Sequence, residues 1–171
     1  KNKNIILENI SVTDYAAEGK AIARIDGKVI FISGAVPGDT ADIMLTKNKK
    51  DWAEARALRI TVPAPDRVVP FCKHFGICGG CKWQMLPYEK QLQYKQQEAE
   101  QNLKRIGKVE LPEIMPIIGC GNSAHYRNKL EFTFSNKRFL TSDEIGSENV
   151  VAQQDALGFH VPRIFDKVID I

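Results

Sequence analysis

The chain has 171 residues, 43% of them hydrophobic and 26% charged, with a net charge of +3 from 24 basic and 21 acidic side chains. This is material for one or two domains with a real core, and it excludes a collagen-like, mucin-like or wholly disordered chain. No run of about 18 apolar residues is present and residues 1–4 have no signal-peptide character, so neither a membrane span nor secretion is expected and a cytoplasmic location is. The basic excess is small, so any electrostatic footprint must come from local clusters such as Lys47, Lys49 and Lys50.

The first stretch reads as β-structure. Short apolar runs at 4–10, 21–24, 29–33, 40–45 and 53–60 are separated by turn signals at Asp26-Gly27, Pro37-Gly38-Asp39 and 47–51. Asp-Gly between two apolar runs is a strong hairpin signal. Five such strands within about 60 residues fit a small closed barrel of the OB type. Residues 61–66 hold two prolines and read as a stiff linker. Beyond the cysteine-rich segment, Pro87 is placed to open a long helix, and Gly107 to stop it. Tyr88, Leu92, Ala99, Leu103 and Ile106 form its apolar stripe, for which core packing is the first expectation. Residues 126–135 alternate sharply. Tyr126, Leu130, Phe132 and Phe134 are expected to face a core, and Arg127, Lys129, Glu131 and Thr133 the other side. Residues 137–140 are a candidate hairpin partner, 141–154 a polar loop, and 156–160 and 164–171 further strands. The expected fold is therefore mainly β with one long helix. Its parts are a barrel at 1–62, a linker and cysteine loop at 63–87, the helix at 88–107 and a partial β domain at 108–171. An apolar strand that stops abruptly points to a longer protein.

Three of the four cysteines, Cys72, Cys78 and Cys81, fall within ten residues. A reducing compartment disfavours disulfides, and clustered thiols there point to metal. Thiolates bind iron–sulfur clusters and zinc, and Gly76, Gly79 and Gly80 would let the backbone wrap an inorganic centre. Three ligands this close need a fourth from elsewhere in the chain. The alternatives are a zinc site of Cys72, His74, Cys78 and Cys81, or unligated buried cysteines. Cys120, between Gly119 and Gly121, is either a fourth ligand or a small buried hydrophobe. His125 and His160 read as structural or exposed.

The segment from Tyr15 to Arg24, the strand at 29–32, the turn at 35–39 and the lysines at 47–50 resemble a TRAM domain, an RNA-binding module of OB type. The loop Cys72-x5-Cys78-Gly79-Gly80-Cys81, followed by Trp83-Gln84 and Tyr88, is similar to the bacterial RNA (uracil-5-)-methyltransferases that carry a four-iron, four-sulfur cluster. The run from His125 to Lys129 is similar to their central domain. The resemblance implies a 4Fe-4S cluster on Cys72, Cys78 and Cys81, with its fourth ligand just past Ile171 and Cys120 outside the set. It also implies methylation of carbon 5 of a uridine in structured RNA, ribosomal rather than transfer RNA. A thiolate would add to carbon 6 of a flipped-out base and S-adenosylmethionine would supply the methyl group. No catalytic or S-adenosylmethionine-binding residue is expected within 1–171, so the chain reads as an inactive N-terminal piece on which a C-terminal methyltransferase domain would pack. The apolar stripe of the helix would then be left partly exposed, or pair with a second copy.

RNA phosphates call for Lys and Arg on a small barrel and its neighbours. The candidates are Lys20, Arg24, Lys47, Lys49 and Lys50 in the barrel, Lys73 and Lys82 near the cysteines, and Arg127 and Lys129 on the later strand. The competing readings are a stand-alone RNA-binding adaptor with a zinc-bound or metal-free cysteine loop, and an electron-transfer protein, which one incomplete cysteine set disfavours.

Overall fold

The computed structural model describes residues 5–147 and 154–171. The chain divides into two compact units. Lys1–Pro70 and Trp83–Gly121 form the first, and Phe71–Lys82 and Asn122–Ile171 the second.

The first unit is built on six strands: β1 (Ile6–Ser11), β2 (Asp14–Ala16), β3 (Lys20–Ile25), β4 (Lys28–Ser33), β5 (Thr40–Asn48) and β6 (Trp52–Val62). They form one mixed sheet in the order β1-β5-β6-β4-β3-β2, with β4 and β6 parallel and the other neighbours antiparallel. The sequence pattern anticipates five of these strands. It misses β2, whose three residues are too few to show alternation. The expected closed barrel is not found, because no ladder joins β1 to β2 among the described residues. The sheet still curls. Only Val12 and Thr13 separate these two edge strands, so their facing ends lie within about 11 Å of one another. The N–H of Val12 donates to the carbonyl of Asp39 (2.9 Å) and that of Thr13 to the carbonyl of Ile22 (2.8 Å), which fixes this corner.

Period-2 alternation sends one face of the curled sheet inward. Ile30 and Ile32 of β4 are at most 1% exposed, and their partners across the ladders are all alanines: Ala23 and Ala21 on β3, Ala53 and Ala55 on β6. Small residues flanking each large one let a strongly curved sheet fill its own interior. Each buried isoleucine contributes roughly 1.5–3 kcal/mol. The β3–β4 turn has Asp26 at φ 48° and Gly27 at φ 77°. Positive φ at both central residues is the hairpin geometry that matches strand twist, and it explains the Asp-Gly pair.

Asp39 is the buried polar node of this unit. Its carboxylate, 1% exposed, accepts from the N–H of Val36 (2.8 Å) and of Ala64 (2.9 Å) and pairs with Arg67 at 2.6 Å. The proline-rich segment after β6 is thus pinned to the sheet. It continues as a pairing of Val68 with Met85 (3.0 Å), and Met85 and Leu86 are buried.

Helix α1 (Tyr88–Arg105) follows Pro87 at the N-cap. Tyr94 packs on Tyr15 with ring centroids 4.5 Å apart, and Trp83 meets Tyr15 edge-on at 5.0 Å. The Tyr15 hydroxyl is buried in this cluster, and desolvation, followed by the neighbouring Tyr94, pushes its ionisation well above the ordinary tyrosine range. No residue of α1 is buried. The expectation of a core-facing stripe is therefore corrected: Leu92 is half-buried, whereas Leu103 is 45% and Ile106 78% exposed.

The second unit contains a three-stranded antiparallel sheet in the order β7-β8-β9, formed by β7 (Thr133–Ser135), β8 (Ala156–His160) and β9 (Val168–Asp170). The long strand expected at 126–135 is reduced to β7. Tyr126, Leu130, Phe132 and Phe134 are 66, 47, 46 and 81% exposed rather than core-facing. Residues 137–140 do not fold back as a hairpin partner of 126–135. Arg138 instead makes a parallel bridge to Val168. In the expected loop, Glu144 ties the segment to Thr141 and Arg138. The part of that loop at 148–153 lies outside the described residues, as does Asn4 of the first expected strand.

Candidate functional site

The inward alanines and isoleucines leave the alternate residues of β3, β4 and β6 on the outer face of the first sheet. These are Lys20, Ile22 and Arg24, then Val29 and Phe31, then Trp52, Glu54 and Arg56. The ladders set Val29 opposite Trp52 and Phe31 opposite Glu54. Phe31 and Trp52 meet edge to face with centroids 6.5 Å apart. The Lys47 ammonium stands 4.7 Å from the Trp52 ring centroid, a cation–π contact. Lys20 lies 3.6 Å from Glu54 and 3.7 Å from Glu18. Lys49 and Lys50 are exposed on the β5–β6 turn, closed by the N–H of Lys49 on the carbonyl of Trp52 (2.9 Å).

Of the nine basic candidates, Lys20, Arg24, Lys47, Lys49 and Lys50 thus fall on this face or the turn beside it. Sequence reasoning missed Phe31, Trp52 and Arg56. The signal for them was the same alternation: each follows or precedes a small or branched residue that turns inward. The remaining candidates belong to the second unit. Lys73, Lys82, Arg127 and Lys129 are all exposed, and Lys129 pairs with Glu131 at 3.1 Å.

Cys72, Cys78 and Cys81 lie in the loop of the second unit. Cys72 and Cys78 are half-buried and Cys81 is exposed. The loop is wound in tight turns, with the N–H of Phe75 on the carbonyl of Cys72 (3.0 Å) and that of Cys78 on the carbonyl of His74 (3.2 Å). Gly76 and Gly79 have φ of 82° and 72°. At Gly79 a side chain is also excluded by contact, since a Cβ would collide with the Pro162 ring. Three thiols on a glycine-turned loop match the chemistry of a thiophilic centre. Their side chains are not drawn together, however: among the described residues, no three Cys, His, Asp or Glu groups are close enough to hold a metal ion. Cys120 is exposed, not the buried hydrophobe that one reading expected, and its N–H donates to the Tyr88 hydroxyl (2.8 Å) in the first unit. Trp83, part of the motif after the cysteines, packs on Tyr15, with the Lys95 ammonium 5.6 Å from its ring.

The sheet of the first unit coincides with a match to a known domain family over residues 8–58. The chain carries a TRAM domain. Its homologues are named RNA methyltransferases. One from Bacteroides thetaiotaomicron is 55% identical over 156 residues, covering 91% of this chain and 34% of that protein, and is named "Uncharacterized RNA methyltransferase". One of the same name from Porphyromonas gingivalis is 47% identical over 165 residues, covering 95% of this chain and 36% of that protein. A third, from Acidithiobacillus ferrooxidans, is named 23S rRNA (uracil(1939)-C(5))-methyltransferase RlmD. It is 40% identical over 122 residues, covering 71% of this chain and 28% of that protein. The chain spans about a third of the length of the curated relatives it matches most fully. Beta strands β2 to β5 and most of β6 lie inside the TRAM domain, together with the aromatic pair and the lysine turn.

Proposed function

We propose that this chain is the RNA-recognition part of an S-adenosylmethionine-dependent RNA (uracil-5-)-methyltransferase acting on structured RNA, ribosomal rather than transfer RNA. The observation that carries this reading is the outer face of the TRAM sheet, where Arg24 and Arg56 accompany Phe31 and Trp52, with Lys47, Lys49 and Lys50 alongside, while Lys20 is held between Glu18 and Glu54. Ammonium and guanidinium groups take phosphates, and aromatic rings take unpaired bases. The reaction is supported by the relative from Acidithiobacillus ferrooxidans, named a 23S rRNA uracil-C5 methyltransferase. In that reaction a thiolate adds to carbon 6 of the target uracil, and the resulting nucleophilic carbon 5 takes the methyl group. No residue within 1–171 is assigned to either step, and the chain alone is expected to transfer no methyl group.

The same reading assigns Cys72, Cys78 and Cys81 to a 4Fe-4S cluster, with a fourth ligand outside 1–171. The cluster would hold the loop and orient RNA, since methyl transfer to uracil requires no electron. Lys73 and Lys82 beside the loop, with Arg127 and Lys129, would extend the phosphate contacts.

The test is RNA binding by the purified chain as a function of salt. Each phosphate neutralised adds roughly −0.7 to −0.9 to the slope of log K against log salt. A K47E/K49E/K50E variant is expected to bind more weakly and with a shallower slope. Binding that ignores both salt and these charges would overturn the reading. Iron, sulfide and zinc content, measured after purification without oxygen beside a Cys78→Ser control, tests the cluster. Iron and sulfide lost in the control support it. Zinc in their place would favour an adaptor module.

A further inference from the structure

Between the Ala17–Gly19 turn and the Phe31–Trp52 pair, the outer face of the TRAM sheet sinks into a groove of about 490 Å³. That is the size range of a small-molecule or single-base site. Its lining includes two aromatic rings, Phe31 and Trp52, and is not basic. Glu18, Asp51 and Glu54 line it, against the single ammonium of Lys20, which bridges two of them. A phosphate would meet net negative charge here and is excluded. Cations stand just outside: Lys47 on the Trp52 ring and Lys49 and Lys50 on the adjoining turn, none of them among the groove's lining residues.

Aromatic rings, carboxylate acceptors and a neighbouring row of lysines are complementary to one kind of occupant. It has a flat π-face, hydrogen-bond donors on its edge, and a phosphate on each side. We propose that this groove is a base-binding subsite that takes one unpaired, amino-bearing nucleobase (adenine, cytosine or guanine) and discriminates against uracil. The base stacks on the Trp52 ring, with Phe31, whose plane stands at 70° to it, beside it. Its exocyclic amine donates to a carboxylate of Glu54, Glu18 or Asp51. The flanking phosphates fall to Lys47, Lys49 and Lys50. Uracil offers two carbonyl oxygens on its edge and a single N–H between them, so it sets oxygen against carboxylate. The subsite therefore reads a nucleotide next to the target, not the target uridine itself. The inference rests on the proposed RNA-binding function and adds a base preference to it.

The experiment titrates the full chain with short single-stranded oligo(A), oligo(C) and oligo(U), labelled for fluorescence anisotropy, at two salt concentrations. Oligo(A) and oligo(C) are expected to bind about tenfold tighter than oligo(U). Trp52→Leu is expected to weaken oligo(A) binding by roughly tenfold with an unchanged salt slope, because stacking is lost and phosphate contacts are kept. Glu54→Gln, an outer-face change that leaves the core intact, is expected to narrow the gap between oligo(A) and oligo(U). Equal affinity for all three oligomers, or a Trp52→Leu protein that binds oligo(A) as the parent does while K47E/K49E/K50E binds it weakly, overturns the subsite and leaves RNA binding standing. No binding of any oligomer or of structured RNA removes the functional reading and the subsite together. Preferential binding of an oligo-arginine peptide, lost in Glu54→Gln, would overturn the subsite by assigning the groove to a cationic side chain.

Discussion

Asp39 holds three partners with one carboxylate, and its side chain is wholly buried against 23% exposure for Arg67. Replacing it with alanine strands two backbone N–H groups and leaves a guanidinium without its counter-charge. Asp39→Ala is expected to cost about 3–5 kcal/mol, the range for breaking a buried pair from one side, and urea denaturation would measure it. Asp42 is different in kind. Its carboxylate accepts from the N–H of Asn9 (2.9 Å) and from Arg59 (2.7 Å), and these, in that order of weight, hold its pKa below the usual carboxylate value. A pKa depressed in the folded state means that the unfolded chain binds the proton more readily. The contribution is therefore complete above the ordinary carboxylate range near pH 4, and is lost as pH falls through the lower folded value. Glu144 is depressed in the same direction, first by the N–H of Thr141 and then by Arg138. Stability measured between about pH 5 and 2 should fall less steeply in Asp42→Asn than in the parent. An identical slope would show that Asp42 keeps its ordinary pKa. Neither carboxylate's role was legible in the sequence. Asp39 reads there as part of a Pro-Gly-Asp turn, because its partners Ala64 and Arg67 are remote in the chain.

Single elements differ in how far their pattern predicts their surroundings. In β3, β4 and the first half of β6 alternation works, because residues of one parity are enclosed, whereas in β5 Ala41, Asp42 and Ile43 are all buried. Ile30 and Ile32 against Phe31, or Ala53 and Ala55 against Trp52 and Glu54, can be sorted from sequence alone. In α1 the same logic fails at one end. The stripe is correctly spaced, and its Tyr88–Leu92 end has a close neighbour, since a Cβ on Gly119 would lie 2.9 Å from Leu92 Cδ1, whereas Leu103 and Ile106 at the other end are exposed. Periodicity reports that a face is apolar and not what covers it. Ile106→Lys is accordingly expected to change stability by no more than about 0.5 kcal/mol. Leu92→Ala should cost roughly 1 kcal/mol or more. Thermal or urea unfolding of the two variants would separate them, and equal large losses would mean that the whole stripe is covered. At 126–135 the alternation is sharper than in any TRAM strand, but β7 keeps only Thr133–Ser135 of it. A strand needs a partner as well as a pattern, and the ladder from β8 reaches no farther than Thr133.

For the molecule as a whole, apolar surface is distributed unevenly. Phe134 and Phe165 in the second unit are 81 and 85% exposed, and Ile118 and Met115 in the first are 95 and 78% exposed. Large exposed apolar side chains favour association where they lie together in one patch. The purified chain is expected to self-associate with rising concentration in sedimentation experiments, and Phe134→Ser together with Phe165→Ser should weaken that association without lowering stability. A strictly monomeric parent would refute this. The cysteine loop shows the limit of legibility at this scale. Its cysteines and glycine turns are local and readable, whereas whether the thiols come together is not decided by the ten residues that carry them.

The order of strands in the TRAM sheet also bears on how the chain acquires it. Beta strand β1 is made first during synthesis, but its partner is β5, with Ile6 set opposite Met44 and Ser11 opposite Thr40. Until residues 40–48 have left the ribosome, β1 has no ladder to join. The β3–β4 hairpin can close at once across Asp26-Gly27. The parallel pairing of β4 with β6 must wait longer still, since all of β5 lies between them. Assembly is therefore expected to begin at the local hairpins and to finish with the seam between β4 and β6, and the high sequence separation of that seam predicts slow folding for so small a sheet. A nascent chain arrested before β6 would keep the β3–β4 hairpin and leave β4 an open edge, exposed to pairing with other chains.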